Sequence, residues 1–344
     1  MKPGPKVARS IEELREFSPR SSAVTLGVFD GVHVGHRKVV DELVRAKKIP
    51  GIEQCYVVTF DPHPVVVTHA RMTPPMLTTI DERISLLSRY ALDGILVLTF
   101  DERMAGLDYR AFLEKCLIRP FDMRHLVLGY DCHFGRNREG SPEKVRSEAP
   151  RFGITVDVVP AVTMGAEVVS STAIRNALIE GNLGKANEFL GHPYLLSGRV
   201  VGGHGRGRGL GFPTANLKVL DPFKLWPPRG VYAVRAETGG RLYGGMMNIG
   251  RAPTIKSLPE EAREAEVHLF DFEGDIYGEN LLVHCCRFLR SERKFASAAE
   301  LSRQLETDRA EATRWLAAGG RPEPGSGPGQ TAPDGGAREE PEGR

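Results

Sequence analysis

The segment from Phe29 to His36 reads Phe-Asp-Gly-Val-His-Val-Gly-His, with His33 and His36 three residues apart. An apolar run precedes it and a helical pattern begins near Gly35, so the sequence predicts a strand, a loop and a helix in that order. The N-terminus of a helix presents unpaired N–H groups and a partial positive charge, which suit a phosphate. Gly35 is expected to let a phosphate approach the backbone, and both histidines can donate hydrogen bonds to one anion. The segment predicts phosphate chemistry, with capping or surface histidines as the competing interpretation.

Two other polar segments follow predicted strands, and they are expected to meet the first at the same edge of a parallel sheet. The segment Thr59-Phe-Asp-Pro-His-Pro64 carries Asp61 and His63. The segment Gly129-Tyr-Asp-Cys-His-Phe-Gly-Arg136 is bounded by glycines, and its Asp131 could hold a flavin or a ribose. A simple turn is the alternative for this second segment.

A further segment, Ser170-Ser-Thr-Ala-Ile-Arg175, opens a predicted helix. Hydroxyl groups at such a position cap the helix and can also bind phosphate. The guanidinium of Arg175 lies one turn further on and suits a triphosphate, because its planar donors match phosphate oxygens. An ordinary surface position is the alternative for this arginine.

A second group of candidates begins in the loop that runs from Gly202 to Asn216, which is rich in glycine. Its backbone can fold tightly around an anion, but it matches neither the Walker A spacing nor Gly-x-Gly-x-x-Gly. Thr214 and Asn216 are two residues apart on an extended chain, and hard oxygen ligands of this kind suit Mg²⁺ held mainly by phosphates. Arg206 and Arg208 are equally well explained as solvated loop charges.

The elements that must position these residues predict an α/β domain followed by a β domain. From Ala23 to about Leu190, short apolar runs alternate with amphipathic stretches, which is typical of a Rossmann-like parallel sheet covered by helices. The predicted strands are Val24–Phe29, Tyr56–Phe60, Ile95–Phe100, His125–Leu128 and Ile154–Val159. The predicted helices are Arg37–Lys47, Glu82–Leu92, Tyr109–Ile118, one that begins after Ser141 and Ser171–Glu180.

The pattern changes near Gly191, after which glycines and alternating β-branched residues predict a small antiparallel β-barrel with one closing helix. The predicted barrel strands are Tyr194–Val201, Gly230–Ala236, Leu242–Ile249, Glu266–Phe270 and Leu281–Phe288, and the helix is Ala298–Ala317. The segment 319–344 lacks large apolar residues and is expected to be a disordered tail. These predictions divide the chain into domains 1–190 and 191–318 and the tail.

Composition excludes several classes of protein. With 41% hydrophobic and 26% charged residues, the chain has the balance of a soluble globular protein. No apolar run approaches the roughly 20 residues that span a bilayer, and the N-terminus lacks the apolar stretch of a signal peptide, so we expect a cytoplasmic protein. The five cysteines show no metal-binding spacing and predict reduced, mostly buried thiols. A net charge of +2 gives no argument for nucleic acid.

Taken in order, Phe29–His36, Thr59–Pro64 and Ser170–Arg175 resemble the bacterial bifunctional riboflavin kinase/FMN adenylyltransferase family, or FAD synthetase. The His-x-Gly-His element alone is typical of the wider nucleotidylyltransferase superfamily, but the three segments together are much more specific. Met247-Asn-Ile-Gly-Arg-Ala-Pro-Thr254 and Glu266-Val-His-Leu-Phe-Asp-Phe272 resemble the riboflavin kinase half of the same family. The resemblance extends from Ala23 to Asp308, and it departs from the family at Cys132 and His133.

The resemblance implies a nucleotidylyltransferase domain and a riboflavin kinase type of barrel. The barrel would convert riboflavin and ATP into FMN. The nucleotidylyltransferase domain would convert FMN and a second ATP into FAD and pyrophosphate. No nucleic acid, membrane or protein partner is expected. Mg²⁺ would be coordinated by Thr214 and Asn216, and Glu266 would be the general base for the riboflavin 5′-hydroxyl.

The remaining roles follow from the same resemblance. The catalytic residues of adenylyl transfer would be His33, His36 and Arg175. The flavin-binding residues would be Asp61, His63 and Asp131. The residues that bind ATP or its phosphates would be Gly27, Phe29, Asp30, Gly31, Gly35, Ser170, Ser171, Thr172, Gly205, Gly207, Gly209, Gly211 and Pro213.

Two alternatives stay open at the level of sequence. The first domain could have another acceptor, as pantetheine-phosphate or cytidylyl transferases do on a similar sheet, although the barrel motifs argue against this. The barrel could instead bind RNA through Arg206 and Arg208, but the near-zero net charge argues against a nucleic-acid-binding protein.

Overall fold

The computed structural model describes residues 4–69, 73–202, 211–251 and 263–319. Its N-terminal part is a parallel sheet of six strands in the order β1-β4-β3-β2-β5-β6. The strands are β1 (Lys6–Ala8), β2 (Ser22–Leu26), β3 (Gln54–Asp61), β4 (Gly94–Thr99), β5 (Met123–Gly129) and β6 (Thr155–Val159). The chain moves outward from β2 through β3 to β4 and then returns to place β5 on the other side of β2. The order in which strands are added therefore reverses between β2 and β5.

The sheet is apolar on both faces because helices cover both faces. Alternate residues of the central strands enter two separate hydrophobic clusters: Val24, Tyr56 and Leu96 belong to one, and Ala23, Val57 and Ile95 belong to the other. The covering helices and short helical turns are α1 (Ile11–Arg15), α2 (Val34–Arg45), α3 (Pro64–Thr68), α4 (Ile80–Leu87), α5 (Glu102–Ala105), α6 (Tyr109–Phe112), α7 (Arg119–Phe121), α8 (Pro142–Glu148), α9 (Ser171–Ile179) and α10 (Leu183–Leu190).

The second part of the chain is a closed barrel of six antiparallel strands in the order β10-β13-β12-β11-β14-β9. A two-stranded hairpin, β7 (Thr163–Met164) and β8 (Glu167–Val168), precedes it. The barrel strands are β9 (Tyr194–Val201), β10 (Ala215–Lys218), β11 (Gly230–Thr238), β12 (Arg241–Arg251), β13 (Arg263–Leu269) and β14 (Asn280–Arg290). The final helix, α11 (Ala298–Ala317), packs over Phe212, Met246 and Phe270 on the outer surface of the barrel.

The predicted architecture is confirmed, with shifts at the ends of elements. Helix α11 has the predicted bounds. The predicted helix Glu82–Leu92 begins earlier because Thr79 and Glu82 form a capping box, and it ends at Leu87. The predicted helix Tyr109–Ile118 is interrupted by a π-helical segment at Leu113–Ile118. Strands β1 and β10 were not predicted: β1 has only three residues at the sheet edge, and β10 has four.

The interior of the barrel and the first part of the chain share one apolar cluster. It contains Leu77, Ile174 and Leu190 from the first part together with Leu196 and Val234 from the barrel. The side chain of Asn187 on α10 donates to the backbone oxygen of Cys285 on β14 at 3.0 Å. Among the described residues no helix combines the length and the apolar character needed to cross a bilayer.

Candidate active sites

The loop between β2 and α2, residues 27–33, is held in an unusual backbone conformation and will be called the phosphate loop. Phe29, Gly31 and Val32 have φ values of 53°, 85° and 42°. Such values cost free energy in residues other than glycine, of the order of 1–3 kcal/mol each, so the surroundings must hold the loop. A Cβ atom at Gly31 would lie 2.9 Å from Cδ1 of Leu77, which explains the glycine. The predicted ATP-binding residues Gly27, Phe29, Asp30 and Gly31 all lie in this loop.

The two histidines lie against each other at the start of α2. Their ring centroids are 3.6 Å apart and the rings are nearly parallel, at 15°. His33 is the N-cap residue, and its Nδ1 accepts a hydrogen bond from the backbone N–H of His36 at 3.2 Å. A neutral His33 must therefore carry its proton on Nε2, where it can be donated. The sequence predicted that Gly35 makes room for a phosphate. In the structure it also makes room for the His33 ring, because a Cβ atom at Gly35 would lie 3.1 Å from that ring.

Loss of solvation favours the neutral form of both histidines, His33 being buried and His36 partly buried. Burial lowers the pKa of His33 to about 4, although the neighbouring carboxylate of Asp30 opposes this effect. Burial, followed by the charge of His33 and of Arg83, lowers the pKa of His36 well below its usual value. The side-chain Nδ1 of His36 is buried and has no hydrogen-bond partner among the described residues. The pair can therefore act as hydrogen-bond donors towards a phosphate, not as two positive charges.

Asp30 connects the phosphate loop to two other segments. Its carboxylate accepts hydrogen bonds from the backbone N–H groups of Leu77 at 3.1 Å and Thr78 at 2.9 Å. It also accepts one from Nη2 of Arg175 at 3.1 Å. The structure thus places the predicted Arg175 beside the histidines but pairs it with a carboxylate, which the sequence did not predict.

The hydroxyl groups at the start of α9 have structural partners. Ser170 caps the helix by accepting from the backbone N–H of Ala173, and Ser171 donates to the carbonyl oxygen of Asp30 at 2.9 Å. Thr172 is exposed. The capping prediction is confirmed, and Ser171 ties α9 directly to the phosphate loop.

The loops after β3 and β5 flank the phosphate loop because these two strands are the neighbours of β2 in the sheet. At the end of β3, Asp61 is exposed and His63 caps α3 by accepting from the backbone N–H of Val65. Burial lowers the pKa of His63 to about 4. After β5, Asp131 is exposed, and Cys132 donates to the backbone oxygen of Leu26 at 3.4 Å. The predicted flavin residues therefore lie on both sides of the histidine pair.

Arg83 is a residue of this site that the sequence reasoning missed. It is 3% exposed, and its Nη1 donates to the side-chain oxygen of Thr59 at 3.1 Å and to the backbone oxygen of Phe60 at 3.0 Å. Its Nε is buried and has no hydrogen-bond partner in the described part of the chain. An arginine in the first turn of an amphipathic helix is normally a surface residue, so its type and position carried no signal of burial.

The second candidate site lies on the outer surface of the barrel. Asn216 on β10, Glu266 on β13 and Asn248 on β12 are direct cross-strand neighbours. Adjacent residues such as Leu217 and Val267 point into the barrel core, so these three polar side chains lie on the opposite face. Asn248 belongs to a motif that the sequence pattern singled out, but it was not assigned to the site.

Asn216 and Thr214 fit the chemistry of a magnesium ligand pair. Asn216 is 5% exposed, and its Oδ1 has no hydrogen-bond partner among the described residues. A buried carbonyl oxygen of this kind is costly unless it has a ligand. In the described part of the chain, no group of three or more histidine, cysteine or acidic side chains could hold a metal by itself, so phosphate oxygens would have to supply further ligands.

His268, which the sequence reasoning also missed, fixes the segment that leads to Thr214. Its Nδ1 donates to the backbone oxygen of Pro213 at 2.8 Å, and its ring packs edge-on against Phe212 at 5.3 Å. Gly211 precedes this pair with a φ of 83°. The predicted phosphate-binding residues Gly205, Gly207 and Gly209, together with Arg206 and Arg208, lie outside the described residues.

Comparisons with known proteins identify the family of each part of the chain. A family model described as FAD synthetase matches residues 16–173, and one described as riboflavin kinase matches residues 190–316. The bifunctional riboflavin kinase/FMN adenylyltransferase of Bacillus subtilis (strain 168) is 35% identical over 297 residues, which are 86% of this chain and 92% of that protein. The protein of the same description from Listeria monocytogenes is 37% identical over 297 residues, covering 85% of this chain and 92% of its own length.

A solved structure gives the same result for the fold. A chain from Streptococcus pneumoniae, described as a macrolide-efflux protein, superposes with a TM-score of 0.75 at 32% identity and covers 86% of this chain and 95% of its own. Its description concerns that protein and is not carried over to this one. The chain therefore belongs to the bifunctional riboflavin kinase/FMN adenylyltransferase family, whose members convert riboflavin to FMN and FMN to FAD.

Proposed function

We propose that residues 1–190 carry FMN adenylylation at the phosphate loop and that residues 191–318 carry riboflavin phosphorylation at Asn216 and Glu266. The observation that carries this assignment is the separation of the two polar constellations. One lies at the carboxyl edge of the parallel sheet, and the other lies on the outer face of the barrel. Each reaction then has its own site, and a substitution can remove one without the other.

In the adenylyl transfer, the FMN phosphate attacks the α-phosphorus of ATP in line as pyrophosphate leaves. The stacked, neutral rings of His33 and His36 donate hydrogen bonds to the phosphate oxygens, and charge developing there is stabilised by donors already in place. Arg175, held by Asp30, adds positive charge beside them. Asp61, His63 and Asp131 flank the pair and would contact the flavin. No protein nucleophile is needed.

In the kinase reaction, the carboxylate of Glu266 takes the proton of the riboflavin 5′-hydroxyl as this oxygen attacks the γ-phosphorus of ATP, whose bond to the bridging oxygen breaks so that ADP leaves. Such base catalysis contributes roughly 10²–10⁴-fold in rate. Thr214 and Asn216 would hold Mg²⁺ together with the phosphates, and the ion would neutralise their charge. The orphaned Oδ1 of Asn216, directly across from Glu266, supports this pairing of roles.

The test is a pair of variants assayed for both reactions by separating the flavins after incubation with ATP and Mg²⁺. We expect His36→Ala to accumulate FMN from riboflavin, with FAD formation reduced about 10²-fold or more. We expect Glu266→Gln to lose FMN formation by a similar factor but still to convert supplied FMN into FAD.

Two control variants match these changes. His125→Gln replaces another buried histidine, on β5 beside Thr155 of β6, and Glu273→Gln replaces an exposed acidic residue of the barrel. Both should keep both activities. Loss of both reactions in a folded His36→Ala or Glu266→Gln protein would show that the two-site assignment is wrong.

We also infer that the enzyme works in the cytoplasm. All five cysteines are free, and four of them are buried, which suits a reducing compartment. Measuring FAD synthesis in fractionated cells tests this location.

A further inference from the structure

A short segment of the first domain, Met76–Thr79, is bound directly to the barrel. The backbone N–H of Met76 donates to the carbonyl oxygen of Phe223 at 2.6 Å, and that of Leu225 donates to the carbonyl oxygen of Met76 at 2.8 Å. Met76 and Lys224 thus form a parallel bridge between the two domains. This segment will be called the bridge segment.

Lys224 anchors the bridge segment through its side chain. Its Nζ donates to the carbonyl oxygen of Leu77 at 2.5 Å and to Oε2 of Glu82 at 2.6 Å. The side chains of Lys224 and Glu82 are both 0% exposed. Since the lysine belongs to the barrel and the glutamate to α4, this buried ion pair joins the two domains.

Both carboxylate oxygens of Glu82 accept further hydrogen bonds. Oε2 of Glu82 also accepts from the backbone N–H of Thr79, and Oε1 accepts from the backbone N–H and the hydroxyl of Ser197 at 2.8 Å each. The ammonium of Lys224 lies 4.3 Å above the ring of Tyr194. An ion pair with so many fixed partners holds its neighbours in one geometry.

The bridge segment in turn holds the phosphate loop. The backbone N–H groups of Leu77 and Thr78 donate to the carboxylate of Asp30, and the hydroxyl of Thr78 accepts from the N–H of Gly31 at 3.0 Å. The same carboxylate binds Arg175. A continuous set of hydrogen bonds therefore runs from Lys224 through Leu77 to Asp30 and Arg175.

A strained loop needs such external support. Phe29, Gly31 and Val32 of the phosphate loop have left-handed φ values. The contacts of Asp30 and Gly31 with the bridge segment fix the chain between these positions. A second tie from the interdomain junction reaches the same place, because Nε2 of His192 lies 3.0 Å from the carbonyl oxygen of Gly31.

We infer that Lys224, a residue of the barrel domain, is a positioning residue for FMN adenylylation: it holds the bridge segment so that Asp30 and Arg175 keep the phosphate loop in its active geometry. This inference depends on the proposed adenylylation site at the phosphate loop. It assigns to the kinase domain a part in the other domain's reaction that does not involve riboflavin phosphorylation.

The first test is Lys224→Met in the full chain, with steady-state kinetics of both reactions. We expect the kcat of FMN adenylylation to fall at least about tenfold, because small displacements of positioned groups reduce rates strongly. The KM for FMN should change by less than about threefold, and the kcat of riboflavin phosphorylation by less than about twofold. Lys185→Met is the matched control, since it removes a lysine–glutamate pair on the surface, with Glu167, and should change neither reaction.

A second variant separates positioning from stability. Lys224→Met leaves the charge of Glu82 buried and unpaired, whereas Lys224→Met combined with Glu82→Met replaces the pair by apolar side chains and should recover thermal stability. Adenylylation should stay low in the double variant, because the carbonyl oxygen of Leu77 is still not held. Recovery of adenylylation together with the melting temperature would overturn the inference.

A double-mutant cycle with Thr78→Val tests the route. If Lys224 acts through the bridge segment, the two substitutions affect one connection, and their combined effect on kcat is smaller than the product of the single effects. Multiplicative effects would contradict this route.

The His36→Ala variant distinguishes failure of this inference from failure of the proposed adenylylation site. If His36→Ala abolishes adenylylation while Lys224→Met leaves kcat within about twofold, the inference is wrong and the site stands. If His36→Ala keeps adenylylation, the proposed site itself is wrong.

Discussion

His33 and His36 stack at the start of α2, and burial keeps both neutral by lowering the pKa of each. The hydrogen bond that His33 accepts from the backbone of His36 assigns its proton to Nε2. Two charged rings could not stack at this distance in a buried place without strong repulsion. The site therefore offers donors of fixed direction, and positive charge comes from arginine.

The lowered pKa of His33 predicts how stability depends on pH. The folded protein has a His33 pKa of about 4, whereas the unfolded chain has the ordinary value near 6.5. Between these values the unfolded state binds more protons, so this histidine's contribution is full above pH 6.5 and is lost as the pH falls towards 4. The loss amounts to at most about 3 kcal/mol.

The measurement compares the wild type with His33→Asn, because asparagine can also cap α2 but does not titrate in this range. The free energy of unfolding should decline less between pH 6.5 and 4.5 in the variant than in the wild type. Identical pH dependences in the two proteins would contradict the buried, neutral state of His33. Carboxylates contribute equally to both curves and cancel in the comparison.

The sequence indicated candidate site residues but not the residues that hold them in place. His33, His36 and Asn216 occur in segments whose types and spacing indicate chemistry. Lys224 and Arg83 do not, because a lysine or arginine in an amphipathic or turn-rich segment normally faces solvent. Their burial depends on contacts with distant parts of the chain, such as Leu77 and Thr59, which local patterns do not contain.

At the level of elements, the barrel site depends on the register of three strands. Asn216, Glu266 and Asn248 lie in one row across β10, β13 and β12, and a shift of one residue in any strand would turn its side chain into the core. The alternation of apolar residues predicted strand β13, but β10 is too short for its pattern to be recognised. Pairing with both β9 and β13 fixes this strand instead.

His268 on β13 should hold the segment before β10 that carries Thr214, the proposed metal ligand. In His268→Phe, the backbone oxygen of Pro213 loses its donor, and Thr214 should become less well positioned. We expect riboflavin phosphorylation to need more Mg²⁺ for half-maximal rate and to lose about tenfold in kcat, with FMN adenylylation unchanged. A Mg²⁺ titration of both reactions provides the measurement, and an unchanged titration curve for the kinase would contradict this role.

At the scale of the whole molecule, the interior of the barrel is continuous with part of the first domain, although the first domain also has a core of its own on its sheet. Leu77, Ile174 and Leu190 of the first domain belong to the same apolar cluster as Leu196 and Val234 of the barrel. The buried pair of Lys224 and Glu82 and the hydrogen bonds of Asn187 lie across the same junction. The boundary between 1–190 and 191–318 stays a prediction, and amphipathic patterns alone do not show that α9 and α10 face the barrel.

This shared interior predicts one cooperative thermal transition. Separation of the domains would expose the common cluster and leave the charges of Lys224 and Glu82 apart, so neither domain should persist when the other unfolds. Differential scanning calorimetry should show a single peak, and the Lys224→Met variant should move that peak without splitting it. Two resolved transitions in the wild type would show that the domains unfold independently.

The common cluster around Leu190 also affects whether the two domains could be encoded as separate chains. A mutation that divided the gene after the codon for Gly191 would give two polypeptides, and each would expose the apolar surface that the other now covers. Encoding the two activities on separate chains would require further substitutions of the exposed apolar residues on α9, α10 and the barrel, so that each chain could fold alone. The shared cluster is therefore expected to keep both domains encoded as a single chain.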